Sequence, residues 1–270
     1  METSTIDYTI SCDDIEELET IRIHKGCKIY IGRWRFKTVC VKELQNNKDI
    51  DNELVVLSKC IHPNIVQFLG AETTTTKTSI VFEYMKNGTL SDYLKGNKVN
   101  MYQKIIIMID VMIALNYLHN RKPDTVLHRD LKPDNILVNV HGQVKIADFG
   151  ISKMVEGTNK EMEGHTGETG TYVWMSPEVL KHEPYNYKAD MYSVGLIMYF
   201  IWTEEIPFKN HNMNTIQIMF SKFRNELKLK KTHHIQLDDI IDRCCAYDMK
   251  IRPDSNVVIT ELQKILLHYI

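Results

Sequence analysis

The sequence contains no uninterrupted apolar stretch long enough to cross a membrane. Its longest apolar run, residues 194–202, contains one glycine, and a membrane-spanning helix needs about 20 apolar residues. Residues 1–14 are polar and acidic, with neither the apolar core of a signal peptide nor the Arg-rich character of a transit peptide. These absences predict a cytoplasmic protein without a membrane span, in which residues 194–202 form a buried helix.

The sequence also lacks paired cysteines and a strong net charge. No C-x-x-C pair occurs among the six cysteines, which disfavours a zinc site and favours reduced thiols over a disulfide framework. The formal net charge is −2, so no overall field favours nucleic acid or an anionic membrane as a partner. With 43% apolar and 25% charged residues the chain is typical of globular proteins, and its 270 residues allow one large domain or two small ones.

Two short motifs carry the chemistry of this sequence. Residues 128–135, His-Arg-Asp-Leu-Lys-Pro-Asp-Asn, place a carboxylate, an ammonium group and a carboxamide within six positions, and a second acid follows at Asp148. Phosphoryl transfer with magnesium needs such a set, because one carboxylate orients a hydroxyl, another holds metal with an amide oxygen, and a lysine offsets phosphate charge. Residues 136–146 predict a strand, a turn and a strand. That hairpin would hold both motifs at one end.

The two motifs, in this order and at this spacing, resemble the H-R-D-L-x-x-x-N and D-F-G motifs of the protein kinase catalytic domain. The resemblance extends from about Asp14 to the last residue. It implies an α+β, bilobal protein kinase fold, with a small antiparallel β-sheet lobe that carries one key helix and a larger, mostly helical lobe. It also implies a single kinase domain over residues 1–270, with an N-lobe at about 14–85 and a C-lobe at 86–270.

The resemblance assigns the catalytic roles. Asp130 would accept or orient the proton of the substrate hydroxyl, and Lys132 would contact the γ-phosphate of ATP. Asn135 and Asp148 would hold two Mg²⁺ ions that bridge phosphate oxygens. The lysine and proline that follow Leu131 resemble serine/threonine kinases, since tyrosine kinases typically have alanine and arginine there.

A lysine and a glutamate complete the predicted nucleotide site. Residues 39–42, Val-Cys-Val-Lys, resemble the V-A-I-K strand, so Lys42 would contact the α- and β-phosphates and pair with a glutamate on the next helix. Glu53 is the favoured partner, because the family's glutamate lies nine residues before a histidine, here His62, and because Asp51 would point to another face of the helix. Asp51 and Glu43 are the competing candidates.

Five further residues would bind the nucleotide if the resemblance holds. Glu83 and Met85 lie where a predicted strand leads into the hinge between the lobes, and their backbone atoms would bond adenine. Cys40 stands where the family usually has alanine against the adenine ring. Ile29 and Leu137 are assigned to the same cofactor-binding set.

The sequence departs from the family pattern at the glycine-rich loop, which covers the ATP phosphates with backbone N–H donors. The three glycine positions fall near Arg22, His24 and Cys27, and the only nearby glycine is Gly26. Side chains at these positions would keep the backbone away from phosphate. Basic side chains such as Lys28 could supply charge instead, or could simply be solvated. The alternative function is therefore a pseudokinase or scaffold with weakened nucleotide binding.

Residues 151–178 are long, polar and glycine-rich and correspond to the family's activation loop, which ends in Met-Ser-Pro-Glu where the family has A-P-E. Thr166 or Thr169 is the candidate target of an upstream kinase, and a phosphate there could pair with Arg129. Residues 175–178 suit peptide docking, which disfavours a small-molecule kinase.

Residues 166–178, together with Gly-Arg-Trp at 32–34, resemble the tyrosine-kinase-like group of serine/threonine kinases, which includes Raf, mixed-lineage and plant integrin-linked kinases. In this family pattern Asp190 would bond backbone N–H groups of the catalytic loop, and Arg252 would form an ion pair with Glu178. The predicted function is a serine/threonine protein kinase that transfers the γ-phosphate of ATP, with Mg²⁺, to Ser/Thr hydroxyls of a protein substrate.

Overall fold

An antiparallel sheet forms the N-terminal lobe of the computed structural model, which describes residues 9–24, 26–45, 50–150, 152–156, 171–209 and 213–269. Its strand order is β1-β2-β3-β5-β4, and helix α1, Ile50–Lys59, lies between β3 and β4 in the chain. The five strands are β1 Ile15–His24, β2 Cys27–Trp34, β3 Lys37–Gln45, β4 Phe68–Thr73 and β5 Lys77–Glu83.

Strand β3 shows how the sequence positions the site. Side chains of a strand alternate between the two faces of the sheet. Val39 and Val41 are fully buried in a small apolar cluster with Tyr30, so Cys40 and Lys42 face the opposite side, where the larger lobe lies. The strand continues to Gln45, beyond the end at Lys42 that the sequence pattern indicated.

Helices dominate the second lobe, whose described residues include four short strands. The strands are β6 Asp124–Leu127, β7 Ile136–Val138, β8 Val144–Ile146 and β9 Lys153–Glu156, and they form two antiparallel pairs, β6 with β9 and β7 with β8. The helices are α2 Leu90–Gly96, α3 Met101–His119, α4 Pro177–Leu180, α5 Lys188–Thr203, α6 Thr215–Phe223, α7 Ile235–Cys244 and α8 Ser255–Leu266. This small sheet lobe with one helix, joined to a larger helical lobe, confirms the predicted α+β bilobal kinase fold.

Helices α3 and α5 form the centre of the larger lobe. α5 is buried from Ala189 to Ile201, which confirms the buried helix predicted at 194–202. Gly195 allows α5 to approach α7, because a Cβ there would lie 2.7 Å from the Cys245 sulfur. Among the described residues, α3 is the one helix long and apolar enough to cross a membrane by composition. Half of that stretch is buried against the lobe's own core.

Three stretches show helical periodicity in the sequence, and their ends differ from the helices of the structure. Periodicity at 237–247 predicts one helix, but α7 ends at Cys244, and the chain then enters a separate turn in which the Asp248 side chain caps the Lys250 N–H. Periodicity at 255–269 predicts a helix to residue 269, but α8 ends at Leu266. The helix predicted at 48–59 is described only from Ile50 onward, so its start lies outside the described residues.

Candidate active site

Lys42 joins the two lobes through two ion pairs. Its Nζ atom lies 2.9 Å from Glu53 Oε1 on α1 and 2.9 Å from Asp148 Oδ1 in the larger lobe. Glu53 is 5% exposed. The competing Glu43 is paired elsewhere, with Lys77 at 2.6 Å, and the side chain of Asp51 lies outside the described residues. The predicted Lys42–Glu53 pair is therefore present.

These ion pairs keep both partners charged. Burial alone would lower the pKa of the Lys42 ammonium, but the carboxylates of Asp148 and Glu53 raise it above its ordinary value. Burial alone would raise the pKa of Asp148, and the Lys42 ammonium instead holds it below its ordinary value. An ionised carboxylate beside an ammonium group suits a site for phosphate and a divalent cation.

The backbone around Asp148 is shaped to present this carboxylate. Asp148 has φ +61°, in the left-handed region that non-glycine residues seldom adopt. A Cβ at Gly150 would lie 3.3 Å from Asp148 Oδ1 and 3.6 Å from Lys42 Nζ. The glycine that follows the Asp-Phe pair thus leaves room for the ion pair, which explains the residue type at that position.

The two carboxylate oxygens of Asp130 differ in their hydrogen bonds. Its Oδ2 atom accepts from Lys132 Nζ at 2.7 Å and from Asn135 Nδ2 at 2.9 Å. Its Oδ1 atom is buried and has no hydrogen-bond partner in the described part of the chain. Two donors thus fix the orientation of this carboxylate, which a residue that orients a substrate hydroxyl requires. The three residues predicted as catalytic therefore lie together.

A buried aspartate anchors the backbone of this loop. Asp190 of α5 is 2% exposed and accepts from the N–H groups of His128 at 3.0 Å and Arg129 at 2.9 Å. This confirms the predicted contact, although Asp190 lies inside α5 rather than at its first position. His119 of α3 adds a third hydrogen bond, at 3.0 Å. The sequence analysis missed His119, since nothing in its helical context signals a partner 71 residues away.

The charge of Asp190 is stabilised by these contacts. Burial alone would raise its pKa, but the hydrogen bonds from His119 and the Arg129 N–H hold the pKa below its ordinary value. The catalytic loop is therefore tied to an ionised, buried group. Arg129 itself has φ +71°, and Asp190 holds its N–H and the N–H of the preceding residue.

Two buried rings lie beside the catalytic loop. The rings of His128 and Phe149 have centroids 5.1 Å apart, and both residues are buried. Phe149 and Leu57 belong to one buried apolar cluster, and Phe68 packs against it. These contacts give the four residues a packing role.

The predicted adenine-binding residues surround the junction of the lobes. Cys40 pairs with Phe82 across β3 and β5, and Ile29 lies opposite Lys42 on β2. Burial raises the pKa of the Cys40 thiol to about 11, so it stays neutral. Leu137 lies on β7, half-buried. All three therefore occupy strands that border the Lys42 network.

The hinge is held by side chains as well as backbone. Glu83 Oε1 accepts from Lys145 Nζ at 2.7 Å and from the Gln67 N–H at 2.7 Å. The Met85 carbonyl accepts from the Gly88 N–H at 3.0 Å. The side-chain role of Glu83 was not predicted, because it depends on a lysine 62 residues away.

The strand pair that should cover phosphate is open. Residues 16–24 of β1 are all exposed, and Ile23 is exposed although apolar. The β1–β2 turn is made by Gly26, with φ +79°. Lys28 pairs with Glu17 at 2.5 Å on the outer strand. Burial raises the pKa of the Cys27 thiol, and the Lys42 ammonium acts in the opposite direction, so Cys27 lies within electrostatic reach of the ion network.

The predicted phosphorylation sites, Thr166 and Thr169, lie outside the described residues. Their predicted partner is described: the Arg129 Nε atom is buried and has no hydrogen-bond partner among the described residues. The Tyr185 ring lies 5.9 Å from the Arg129 guanidinium. At the last residue of the activation loop, Glu178 accepts from Arg252 at 2.5 and 2.8 Å, which confirms that predicted ion pair.

Asn135 and Asp148 present the oxygen donors that Mg²⁺ prefers. Asn135 donates to the Asp130 carboxylate through Nδ2, so the side-chain carbonyl oxygen of Asn135 is the atom that could act as a metal ligand. The Asp148 side chain is 47% exposed. No cluster of three or more His, Cys, Asp or Glu side chains lies in the described part of the chain. The pair fits a metal that takes its other ligands from phosphate and water.

Comparison with known proteins places this geometry in a family. The family model described as the protein kinase domain matches residues 27–265. The chain is 32% identical over 248 residues to serine/threonine-protein kinase STY46 of Arabidopsis thaliana, which covers 88% of this chain and 42% of that protein. It is 33% identical to serine/threonine-protein kinase VIK of the same plant, over 96% of this chain and 62% of that protein.

A third relative comes from another organism. The chain is 35% identical to the probable serine/threonine-protein kinase drkD of Dictyostelium discoideum, over 84% of this chain and 18% of that protein. The chain thus spans about two fifths to three fifths of the length of the first plant relatives it matches. These relatives agree with the group predicted from residues 166–178. The match over 27–265, around an assembled Lys42–Glu53–Asp148 network, shows that the chain belongs to the protein kinase domain family.

Proposed function

We propose that the chain is an active serine/threonine protein kinase that transfers the γ-phosphate of ATP to Ser and Thr hydroxyls of proteins. The observation that carries this proposal is the position of Lys42, whose Nζ lies 2.9 Å from both Glu53 and Asp148. A fold kept only for its shape has no physical need for a desolvated cation between two carboxylates.

The residues of the site divide the work of phosphoryl transfer. Lys42 holds the α- and β-phosphates, and Lys132 meets the γ-phosphate. Asn135 and Asp148 would hold Mg²⁺, which offsets phosphate charge when bound. Asp130 orients the substrate hydroxyl, and Lys132 and Asn135 fix its carboxylate through Oδ2.

The nucleotide ring would lie between the strands of the small lobe and β7. Ile29 and Cys40 would contact it from above, and Leu137 from below. Glu83 and Met85 would bond adenine through their backbone atoms, at a hinge that Lys145 and Gln67 hold in place. In this proposal the chain is one kinase domain over 1–270, divided into lobes at 14–85 and 86–270.

The substrate is a protein with a Ser or Thr hydroxyl, and it docks beside α4. We call residues 172–175 the docking segment. They form the part of the activation loop just before α4, and Trp174 and Met175 are buried. An upstream kinase would act on Thr166 or Thr169, and the phosphate would pair with Arg129, whose Nε has no other described partner. The proposed location is intracellular, where ATP and protein substrates occur.

A pseudokinase is the second candidate, and one observation favours it. Arg22, His24 and Cys27 replace the phosphate-covering glycines, and β1 is exposed along almost its whole length. A protein of this kind would bind partners through its shape and would bind nucleotide weakly.

A phosphotransfer assay separates the two candidates. Radiolabelled Mg·ATP is offered with a Ser/Thr peptide library to the wild type, to Asp130→Asn and to Asp134→Asn. The kinase proposal expects Asp130→Asn to lose about 10²- to 10⁴-fold in rate, and Asp134→Asn, an exposed neighbour, to keep the wild-type rate. Equal background counts in all three proteins would support the pseudokinase.

A further inference from the structure

Lys222, on α6, is buried to an unusual degree. It is 2% exposed and is the only lysine among the described residues that the core encloses. Lysine is seldom fully buried unless it is paired, yet no carboxylate forms an ion pair with Lys222 in the part of the chain that the structure describes. The sequence gives no role to this residue, and the catalytic network does not use it.

The partners of Lys222 are three backbone carbonyls of the docking segment. Its Nζ donates to the carbonyl oxygens of Val173 at 2.6 Å, Met175 at 2.7 Å and Tyr172 at 3.3 Å. An ammonium group has three N–H donors, so it satisfies all three carbonyls at once. A neutral amine has two, and would leave one of these carbonyls without a donor.

Aromatic rings complete the cation's surroundings. The Nζ atom lies 4.9 Å from the ring centroid of Tyr192 and 5.5 Å from that of Phe208, distances at which a ring face attracts a cation. Arg252 stacks on the same Tyr192 ring, 5.0 Å from its centroid. The amine is thus held by carbonyls and rings, with no counter-ion fixing its charge.

The charged and titratable groups around Lys222 come from three elements. Burial lowers the pKa of Lys222 to about 7, Cys245 and Glu178 act to raise it, and Arg252 lowers it further. Burial raises the pKa of the Cys245 thiol to about 12, so this thiol is neutral. Glu178 is bound to Arg252 through both of its oxygens. Lys222 is therefore the group of this cluster whose charge changes near neutral pH.

We propose that Lys222 is a positioning residue for the protein substrate, because its ammonium group fixes the carbonyls of the docking segment and thereby sets peptide affinity. This inference rests on the proposed kinase function. Nucleotide binding and peptide binding then depend on different lysines. The Lys42 network binds the nucleotide in the cleft, whereas Lys222 acts only on the docking segment.

Charge on Lys222 gives peptide binding a predictable pH dependence. Below its pKa the ammonium donates to all three carbonyls, and above it one N–H is lost. The KM for peptide is therefore expected to rise as the pH increases from about 6 to about 8.5, while the KM for ATP does not follow this change.

The first test compares Lys222→Met with Lys230→Met, which alters an exposed lysine of the same lobe. We expect Lys222→Met to raise the KM for a library-selected peptide by roughly tenfold or more, with kcat and the KM for ATP within about twofold. The variant should also lose the pH dependence of the peptide KM. An unchanged peptide KM, or an equal loss in ATP affinity, would overturn the inference.

A second measurement does not depend on catalysis. Hydrogen exchange of the amides at 172–176 should be about tenfold faster in Lys222→Met than in Lys230→Met, with unchanged exchange at 128–135. If the wild type transfers no phosphate, the kinase proposal fails, and this exchange difference still decides whether Lys222 holds the docking segment. If Lys222→Met does not fold, the wild-type peptide KM is measured across pH, and a flat profile contradicts the inference.

Discussion

The floor and the roof of the candidate nucleotide cleft are held very differently. The floor is the catalytic loop, 128–135, whose backbone is bonded to a buried aspartate on α5. The roof is the β1–β2 pair, whose outer strand is exposed and carries no glycine at the three phosphate-covering positions. The groups proposed to perform the chemistry are fixed by several contacts each, whereas the proposed cover over the phosphates has few.

This difference locates where the chain departs from its family. Phosphoryl transfer depends mainly on positioning and electrostatic stabilisation, and both belong to the floor. A weaker roof reduces nucleotide affinity without removing the catalytic groups. The comparison therefore predicts large losses from changes below the nucleotide, and smaller changes, including gains, from changes above it.

The largest effect is expected when the floor loses its anchor. Asp190→Ala leaves the N–H groups of His128 and Arg129 buried without an acceptor, and removes the partner of His119. We expect a loss of about 3 to 5 kcal/mol in the free energy of unfolding, measured by urea denaturation, together with loss of phosphotransfer.

The matched control for this anchor is Asp134→Ala, which removes an exposed carboxylate from the same loop. Its free energy of unfolding should stay within about 0.5 kcal/mol of the wild type. A similar loss of unfolding free energy in both variants would show that the Asp190 contacts stabilise the floor no more than an exposed side chain does, which contradicts the comparison.

A large kinetic effect is expected at the junction of floor and roof. Lys42→Met removes the cation between Glu53 and Asp148, so we expect kcat/KM for ATP to fall about 10²- to 10³-fold. Steady-state kinetics at saturating peptide measure this change. The control is Lys77→Met, which breaks the exposed Lys77–Glu43 pair on the same sheet and should change kcat/KM less than twofold. An equal fall of kcat/KM in the two variants would show that Lys42 has no special role in the site.

A moderate gain in apparent ATP affinity is expected from changes at the roof. The combined variant Arg22→Gly, His24→Gly and Cys27→Gly lets the backbone approach phosphate. We expect the KM for ATP to fall by roughly tenfold, equivalent to about 1.4 kcal/mol, with kcat little changed. Glu19→Gly, on the exposed part of β1, should leave it unaltered. A rise in KM for the combined variant would show that Arg22 and His24 bind phosphate through their charges.

The smallest effect is expected in the free energy of unfolding at acidic pH. The pKa of Asp190 is held below its ordinary value of 3.8, so the stability that its charge contributes is present above that value and is lost as the pH falls through the lowered pKa. The free energy of unfolding should therefore fall below about pH 4, and less steeply in Asp190→Asn. Identical slopes in the two proteins would contradict an ionised anchor.

The sequence predicted the groups whose residue types and spacing are dictated by chemistry. Lys42, Glu53, Asp130, Asn135 and Asp148 could be assigned because each follows a short motif, or lies on a helical face at a fixed distance from one. Their meeting in space follows from the family fold that the two motifs indicate.

The contacts that were missed all depend on tertiary packing. Lys222 lies on an amphipathic helix, where a lysine is normally solvated, and its three carbonyl partners are 47 to 50 residues away. The bond from Lys145 to Glu83 and the bond from His119 to Asp190 join elements in the same way. No periodicity or local motif encodes such partners.

The most direct test of the account is a calorimetric titration of Mg·ATP into the wild type and into Lys42→Met. The account predicts that the wild type binds Mg·ATP with measurable heat in spite of its substituted roof, and that Lys42→Met binds it at least about tenfold more weakly. A wild type that gives no heat, or a variant that binds as tightly as the wild type, would contradict the claim that the cleft is built around Lys42.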